Sequence, residues 1–258
     1  MPIAIIVWLV TAAVTYLFAA QYWWFPPPIN QHGIEYDAHF HRMLIATGAI
    51  FVLSQAALGW LVLRFRDDGK RSLYSHGSNK FELVWTSATA VIFIGLLMLG
   101  QHVWADVHMA RTPQNALRIE VLAKQFAWSF RYAGADGKFA RTELKLVNDA
   151  SGNPFGIDTQ DPASKDDKTT GALRVPVGVP IELILRSRDV IHNFFVRELR
   201  IKQDVVPGME IPLRFQADRV GEYEIPCSEL CGLGHHQMRS RLIVMERGDF
   251  DRWLKDSE

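Results

Sequence analysis

The sequence predicts a membrane-anchored protein in which apolar α-helices precede an all-β sandwich. Two patterns lead to this prediction. Uncharged apolar runs cover residues 3–20, 43–63 and 83–100, and each is close to the roughly 20 residues that span a bilayer core. From about residue 116 onward, short runs of β-forming residues alternate with glycine and proline turns, which is typical of a sandwich of short strands.

The three apolar runs predict transmembrane helices at about 3–22, 42–64 and 82–104, which form an anchor over residues 1–104. The alternative for the first run is a secretory signal peptide. However, no Lys or Arg precedes this run, and no clean small-residue cleavage pattern follows it. We therefore expect three membrane spans.

Within residues 1–104, Lys and Arg lie mostly between the second and third apolar runs. This connection contains Arg64, Arg66, Lys70, Arg71 and Lys80, whereas residues 21–42 contain one arginine and no lysine. Short loops rich in Lys and Arg remain on the cytoplasmic side of a membrane. The domain after the third span, residues 105–258, is therefore predicted to lie on the outer face.

Residues 105–258 are predicted to form one Greek-key β-sandwich. The β-like runs are 118–123, 126–132, 143–147, 172–175, 181–187, 222–225 and 241–245. Residues 148–171 have no apolar period and are predicted to be a long surface loop, solvated or in contact with a neighbouring subunit. Residues 249–256 are predicted to form a terminal helix that places Phe250 on its inner face.

Both cysteines of the chain lie in residues 227–238, together with His235 and Met238. Thiolate, imidazole and thioether groups are the soft-to-borderline ligands that copper selects. The alternatives are a Cys227–Cys231 disulfide or half of a zinc site, but zinc sites rarely use methionine. The residues therefore indicate copper. His192 follows the strand-like run 181–187, and we expect it to complete the site from a neighbouring strand end.

Residues 227–238 resemble the copper loop of subunit II of the haem-copper oxidases, which reads Cys-Ser-Glu-x-Cys-Gly-x-x-His-x-x-Met. Asp189–His192 similarly resembles the family's Asp-Val-x-His sequence. The resemblance implies a cupredoxin-like sandwich that carries the binuclear copper centre called CuA. The implied ligands are the thiolates of Cys227 and Cys231, the imidazoles of His192 and His235, and, more weakly, Met238 and the Glu229 carbonyl. The resemblance also implies that the Glu229 side chain faces a magnesium ion shared with the catalytic subunit.

The function implied by the resemblance is that of an electron-accepting subunit of a proton-translocating cytochrome c oxidase. Such a subunit takes electrons from a cytochrome c donor and passes them to haem in subunit I, which reduces O2 to water. The implied location is the bacterial inner membrane, as a multi-pass protein with the CuA domain on the periplasmic side. The expected partners are the haem-bearing subunit I and the other oxidase subunits, and nucleic acid is not among them.

Three further residues are assigned through the resemblance. Residues 125–128 read Gln-Phe-Ala-Trp where the family has Gln-Trp-x-Trp, so Phe126 replaces the first tryptophan and Trp128 keeps the second. The resemblance implies that electrons enter at these two aromatics. Glu82 lies in a Glu-x-x-Trp-Thr sequence, which implies a position at the mouth of a proton path.

Basic Lys124 and Arg131 flank the electron-accepting aromatics, and acidic and basic residues nearly balance in the β domain. Basic cytochromes c are steered by acidic surfaces, so we expect a different donor. One candidate is a cytochrome c domain of a partner complex, for which alternative complex III is suggested.

Other functions are also compatible with a CuA loop. Nitrous oxide reductase uses the same loop, but it needs a large histidine-rich domain that this sequence lacks. Two alternatives stay open on the sequence alone. One is a CuA-containing nitric oxide reductase subunit, and the other is a copper-free scaffold of the quinol oxidase type with a Cys227–Cys231 disulfide.

Overall fold

The computed structural model describes residues 2–21, 24–67, 69, 71, 74, 76–109, 111–134 and 136–256. Tyr22 of the first predicted span and Lys70 of the basic connection lie outside the described residues. The chain divides into two compact units. The first comprises Met1–Phe25 and Tyr36–Val103, and the second comprises Pro26–Glu35 and Trp104–Glu258.

Three helices supply the first unit: α1 (Pro2–Ala20), α2 (Gln31–Arg64) and α3 (Asn79–His108). Each is long and apolar enough to cross a membrane. Large apolar side chains are exposed along all three helices, as expected for surfaces that face lipid or other subunits rather than water.

Glycines allow these helices to approach one another closely. A Cβ at Gly59 of α2 would collide with the indole ring of Trp8 on α1, and a Cβ at Gly100 of α3 would lie 2.9 Å from Nε2 of His39 on α2. Small residues at helix contacts are characteristic of membrane bundles, because van der Waals contact rather than the hydrophobic effect holds them together.

Helix α2 begins at Gln31, eleven residues before the predicted start of the second span. The added turns carry polar residues, so hydropathy does not detect them. Helix α3 similarly extends beyond the predicted range of 82–104 at both ends. An apolar run therefore measures the part of a helix that crosses a membrane, whereas the helix itself is longer.

The described part of the second unit contains ten strands and a terminal helix. The strands are β1 (Leu117–Lys124), β2 (Ala127–Tyr132), β3 (Lys168–Thr170), β4 (Leu173–Pro176), β5 (Pro180–Ser187), β6 (His192–Val196), β7 (Ile201–Val205), β8 (Ile211–Gln216), β9 (Gly221–Pro226) and β10 (Arg239–Met245). The helix is α4 (Arg247–Lys255), with Phe250 buried as predicted.

The strands form an all-β cupredoxin-like sandwich, as predicted. One sheet has the order β3-β2-β1-β5-β8, a second has the order β4-β10-β9, and β6 pairs with β7. Strands β1 and β5 are parallel, as are β4 and β10, and the remaining pairs are antiparallel. The core includes fully buried residues from several strands, such as Ile119, Phe130, Leu183, Phe194 and Leu242.

Two predictions about the β domain are wrong. Residues 143–147 do not form a strand but a 3-10 turn over Leu144–Leu146, in which Leu144 is 85% exposed. Residues 148–171 are not simply a solvated loop. They include a second 3-10 turn, Pro162–Lys165, and strand β3, which pairs with β2 at the edge of the sheet.

The segment before α2 belongs to the second unit. Ile29 is buried in the core of the sandwich, its N–H donates to the carbonyl of Glu198, and its carbonyl accepts from the N–H of Asp218. The Asn30 side chain donates to the carbonyl of Leu199. These bonds hold Ile29 and Asn30, which precede α2, against the β domain. The chain therefore joins this domain both before α2 and after α3.

Arg131 of β2 alternates with the core residues Phe130 and Tyr132, so it is buried on the opposite face of the sheet, where its side chain is 1% exposed. It donates to Glu120 at 2.9 Å and to Asp167 at 2.5 Å, and also to the carbonyl of Ala140. Asp167 precedes β3, so this buried ion pair fastens the segment before β3 to the sheet. Burying charges is tolerated only when they are paired and hydrogen-bonded in this way.

Replacing Arg131 with Ala leaves the buried Asp167 carboxylate without its cation and leaves Glu120 with Arg186 as its partner. We expect Arg131→Ala to lower the free energy of unfolding by about 3–5 kcal/mol. Arg141→Ala is the control, because Arg141 pairs with Asp158 while remaining 71% exposed, and it should cost less than about 1 kcal/mol. Denaturant unfolding of the detergent-purified chain measures both values. Equal losses in the two variants would contradict the structural role of Arg131.

Candidate metal centre

Residues 227–238 form the connection between β9 and β10, and we call them the ligand loop. Antiparallel pairing of these strands reaches Pro226 and Arg239 at the base of the loop. The next two residues, Cys227 and Met238, are joined by a hydrogen bond of 2.9 Å from the Cys227 N–H to the Met238 carbonyl. The two ends of the ligand loop are therefore held side by side by strand pairing.

Strand β6 brings His192 to the same place. Phe194 of β6 forms an isolated antiparallel bridge with Cys227, and the Ser228 N–H donates to the Asn193 carbonyl at 3.1 Å. His192 is completely buried. The remote histidine thus reaches the ligand loop through a backbone contact.

The side chains predicted to bind copper converge. The sulfurs of Cys227 and Cys231 are 3.9 Å apart. Nδ1 of His192 lies 3.9 Å from the Cys227 sulfur, and Nδ1 of His235 lies 3.7 Å from the Cys231 sulfur. Each sulfur also has a weaker donor nearby: the Glu229 carbonyl is 3.2 Å from Cys227, and the Met238 sulfur is 3.7 Å from Cys231.

This arrangement fits a shared metal site. Metal–thiolate bonds are about 2.3 Å long, so a single ion can reach two sulfurs that are 3.9 Å apart. A disulfide requires about 2.05 Å between sulfurs, and both cysteines are free thiols in the structure. Because a thioether and two imidazoles accompany the thiols, the donor set suits copper better than zinc.

Burial and the neighbouring Cys227 raise the pKa of the Cys231 thiol to about 11. This thiol therefore keeps its proton at neutral pH in the metal-free protein. Thiolate is the form that binds metal, so binding releases this proton.

Asp189 orients the His192 ring, a role that sequence reasoning did not assign. Its Oδ1 lies 2.8 Å from Nε2 of His192, which leaves Nδ1 directed at the cysteines. Its Oδ2 accepts the Gln125 N–H at 2.7 Å. Burial works against ionisation, but hydrogen bonds from Gln125, His192 and Val190 keep the pKa of Asp189 below its ordinary value. A carboxylate behind a ligating histidine fixes the tautomer and the ring orientation.

Gln125 also supports the ligand loop, and it too was missed as a site residue. Its side-chain amide donates to the Cys231 carbonyl at 2.5 Å. A Cβ at Gly232 would lie 2.7 Å from this amide, and Gly232 also has a φ of +135°, a conformation that favours glycine. The glycine therefore lets the loop approach Gln125.

The two predicted electron-accepting aromatics contact different residues of the site. Trp128 is buried, with its ring 6.2 Å from the ring of His192 and 5.7 Å from that of Phe194. Phe126 is 37% exposed, and its ring lies against Gly232 and Gly234 of the ligand loop. Phe126 is thus a surface aromatic group in direct contact with the loop that carries the ligands.

The prediction that Lys124 and Arg131 make this surface basic is wrong. Arg131 is buried against Glu120 and Asp167. Lys124 forms an ion pair of 2.7 Å with Asp149. Both charges are therefore compensated by carboxylates that come from elsewhere in the chain.

Two predicted residues do not join this cluster through their side chains. The Glu229 side chain is exposed while its carbonyl faces Cys227. Glu82 lies in the first turn of α3 and is also exposed. A carboxylate is favourable near a helix N-terminus, and the structure adds no further partner for Glu82 among the described contacts.

A cupredoxin-like sandwich with thiol, imidazole and thioether groups gathered at one loop is typical of copper proteins that transfer electrons. Helices able to cross a membrane restrict the class to its membrane-anchored members. The family model for the periplasmic domain of cytochrome c oxidase subunit II matches residues 117–246. The chain belongs to the cytochrome c oxidase subunit II family.

Several known proteins are similar to this chain. The alternative cytochrome c oxidase subunit 2 of Bradyrhizobium diazoefficiens is 32% identical over 262 residues, covering 100% of this chain and 92% of the relative. The cytochrome c oxidase subunit 2 of Thermostichus vulcanus is 29% identical, covering 90% of this chain and 78% of the relative. The crystal structure of the periplasmic domain of the Bradyrhizobium japonicum cytochrome oxidase subunit II is 28% identical. It matches 56% of this chain and 95% of that domain, with a TM-score of 0.41.

Removing the Asp189 carboxylate should weaken metal binding without removing a ligand. We expect Asp189→Ala to lower copper affinity about 10- to 100-fold, the usual effect of losing the partner of a ligating histidine. Glu210→Gln is the control, because the Glu210 carboxylate is exposed and pairs with Arg186. Competition with a copper chelator measures both affinities. Retention of the parental affinity by Asp189→Ala would contradict the assigned role.

Proposed function

We propose that the protein is the electron-accepting subunit II of a membrane-bound cytochrome c oxidase. In this proposal it receives electrons from a cytochrome c donor at a binuclear CuA centre and passes them to haem in subunit I, where O2 is reduced to water. The observation that carries the proposal is the convergence of two thiols, two imidazoles, a thioether and a carbonyl at one loop.

The proposed ligands are His192, Cys227, Glu229 through its carbonyl, Cys231, His235 and Met238. When bound, the copper pair supplies a centre that takes up and releases one electron. The chain contributes rigidity: strand pairing closes the base of the ligand loop, Asp189 holds the His192 ring, and Gln125 holds the Cys231 carbonyl. Fixed donors and a buried site keep reorganisation small when charge changes, because preorganised groups do not need to move.

Phe126 is proposed as the surface group through which the donor approaches. Its exposed ring and its contact with Gly232 and Gly234 support this role. Trp128, packed against His192, is proposed to provide coupling from beneath the site. For the donor, we propose a cytochrome c or a cytochrome c domain of a partner complex, with alternative complex III as the candidate.

The remaining assignments follow the family. The three helices are proposed to anchor the chain in the bacterial inner membrane beside subunit I, and the excess of basic residues between α2 and α3 supports placing the CuA domain on the periplasmic side. Glu82 is proposed to lie at the mouth of a proton path of a proton-translocating enzyme. The exposed side chain of Glu229 is proposed to reach a magnesium ion shared with subunit I.

Two adjacent histidines test the ligand assignment. His235 faces the Cys231 sulfur, whereas the neighbouring His236 is exposed. We expect the copper-loaded parent to be purple, with the multi-line EPR spectrum of a mixed-valence pair. His235→Ala should abolish that spectrum, whereas His236→Ala should retain it. A parent that binds no copper, or a spectrum that survives in His235→Ala, would contradict the proposal.

Phe126 can be tested separately from copper binding. We expect Phe126→Ala to lower kcat/KM for reduced cytochrome c about tenfold, the loss typical of an aromatic anchor in an interface, while the copper spectrum stays unchanged. Leu144→Ala is the control, because Leu144 is also an exposed apolar residue but belongs to the 3-10 turn after β2. Stopped-flow reduction measures the rates. Unchanged electron transfer in Phe126→Ala would rule out this path.

A further inference from the structure

The segment between β2 and β3 contains a small closed turn at residues 148–153. Asn148 and Asn153 exchange two backbone hydrogen bonds of 2.9 Å, and the Asn148 side chain accepts the N–H groups of Ala150 and Ser151. Such local hydrogen bonds between side chain and backbone hold a turn in one conformation. Asp149 lies within this turn, so its backbone is firmly supported.

The Asp149 carboxylate bridges two cations from different strand ends. Oδ1 lies 2.7 Å from Nζ of Lys124, and the guanidinium of Arg188 donates to both carboxylate oxygens, at 3.1 and 2.8 Å. Hydrogen bonds from Arg188 and Lys124 lower the pKa of Asp149 to about 2, so the carboxylate is ionised throughout the physiological range.

These two cations adjoin the residues that support the metal centre. Lys124 ends β1 and is followed by Gln125 and Phe126. Arg188 follows β5 and precedes Asp189, the partner of His192. The Arg188 N–H also donates to the Ala123 carbonyl at 3.0 Å, which holds the two strand ends together. Asp149 therefore compensates two positive charges, one two residues before Phe126 in the sequence and the other directly before Asp189.

We propose that Asp149 is a specificity-determining residue that sets the charge of the donor-docking surface by compensating Lys124 and Arg188. This inference rests on the proposed function, because it concerns the cytochrome donor of the same site. With Asp149 present, these residues carry one net positive charge. Without it, they carry two, which disfavours a basic donor and favours an acidic one. The segment between β2 and β3 then acts as a selectivity element without touching a metal ligand.

The experiment compares two donors that share one haem protein. Reduced basic cytochrome c is used directly and after succinylation of its lysines, which makes it acidic. kcat/KM is measured for both with the purified oxidase complex at several ionic strengths. For Asp149→Asn we expect kcat/KM to fall about fivefold for the basic donor at low salt, the factor for one unit charge at close range in water, and to rise by a similar factor for the acidic donor, so that their ratio falls about 25-fold. At about 1 M salt, where the Debye length is near 3 Å, the ratio should return to the parental value.

Two further variants control the result. Asp158→Asn makes the same change of charge in the same segment, but its partner Arg141 keeps Asp161 as a second partner and does not adjoin Gln125 or Asp189 in the sequence, so the ratio should not change. Lys124→Gln removes a positive charge and leaves Asp149 paired with Arg188, so the ratio should rise. The EPR spectrum of the copper centre should be the same in all variants.

Several outcomes would overturn the inference. An unchanged ratio in Asp149→Asn, or an equal loss with both donors accompanied by an altered EPR spectrum, would show that Asp149 does not act through surface charge. A shift in the same direction for Asp149→Asn and Lys124→Gln would do the same. If the parental complex has no CuA spectrum and accepts electrons from neither cytochrome, the proposed function and this inference both fail. If it accepts electrons but the ratio does not respond, only this inference fails.

Discussion

Strand pairing at the base of the ligand loop is the constraint on which the metal centre depends. The β9–β10 ladder ends at Pro226 and Arg239, and the bond from Cys227 to Met238 continues it by one step. The bridge between Phe194 and Cys227 adds β6 at the same point. Because each contact is made by the backbone, the ligands are placed by the sandwich before any metal binds. Such preorganisation suits a centre whose function is to change charge while its donors stay in place.

The sequence predicted the site well where its residues are close together along the chain. The ligand loop was recognised because its donors recur within one strand connection. His192 was added because it follows a strand-like run, and the Asp-Val-x-His resemblance supported that choice. Gln125 matches the glutamine of the Gln-Trp-x-Trp resemblance, but its role could not be predicted from it, since it meets Cys231 across 106 residues. Asp189 carried a partial signal, its i to i+3 spacing from His192. Its hydrogen bond to Gln125, however, requires the parallel pairing of β1 with β5.

The same limit explains the errors in the fold. The order of helices followed by strands could be predicted because apolar length and β-propensity are local properties. Residues 143–147 have the composition of a strand, yet Leu144 faces solvent and the backbone turns, so propensity alone was insufficient. Arg131 was assumed to be exposed because isolated arginines usually are. Its burial depends on Asp167, which lies 36 residues away and reaches it only after the segment before β3 has folded back onto the sheet.

The geometry of extended backbone also explains how the ends of β1 and β5 both pair with Asp149 and support the metal centre. Side chains alternate in direction along extended backbone, and at each strand end one residue contacts Asp149 while the next supports the centre. Lys124 and Arg188 are paired with Asp149, whereas Gln125 and Asp189 hold the Cys231 carbonyl and the His192 ring. Surface charge and ligand support are therefore carried by different side chains on the same backbone. A change of charge at the surface leaves the hydrogen bonds behind the ligands intact, so the docking surface of such a protein can adapt to a new donor while its metal centre is retained.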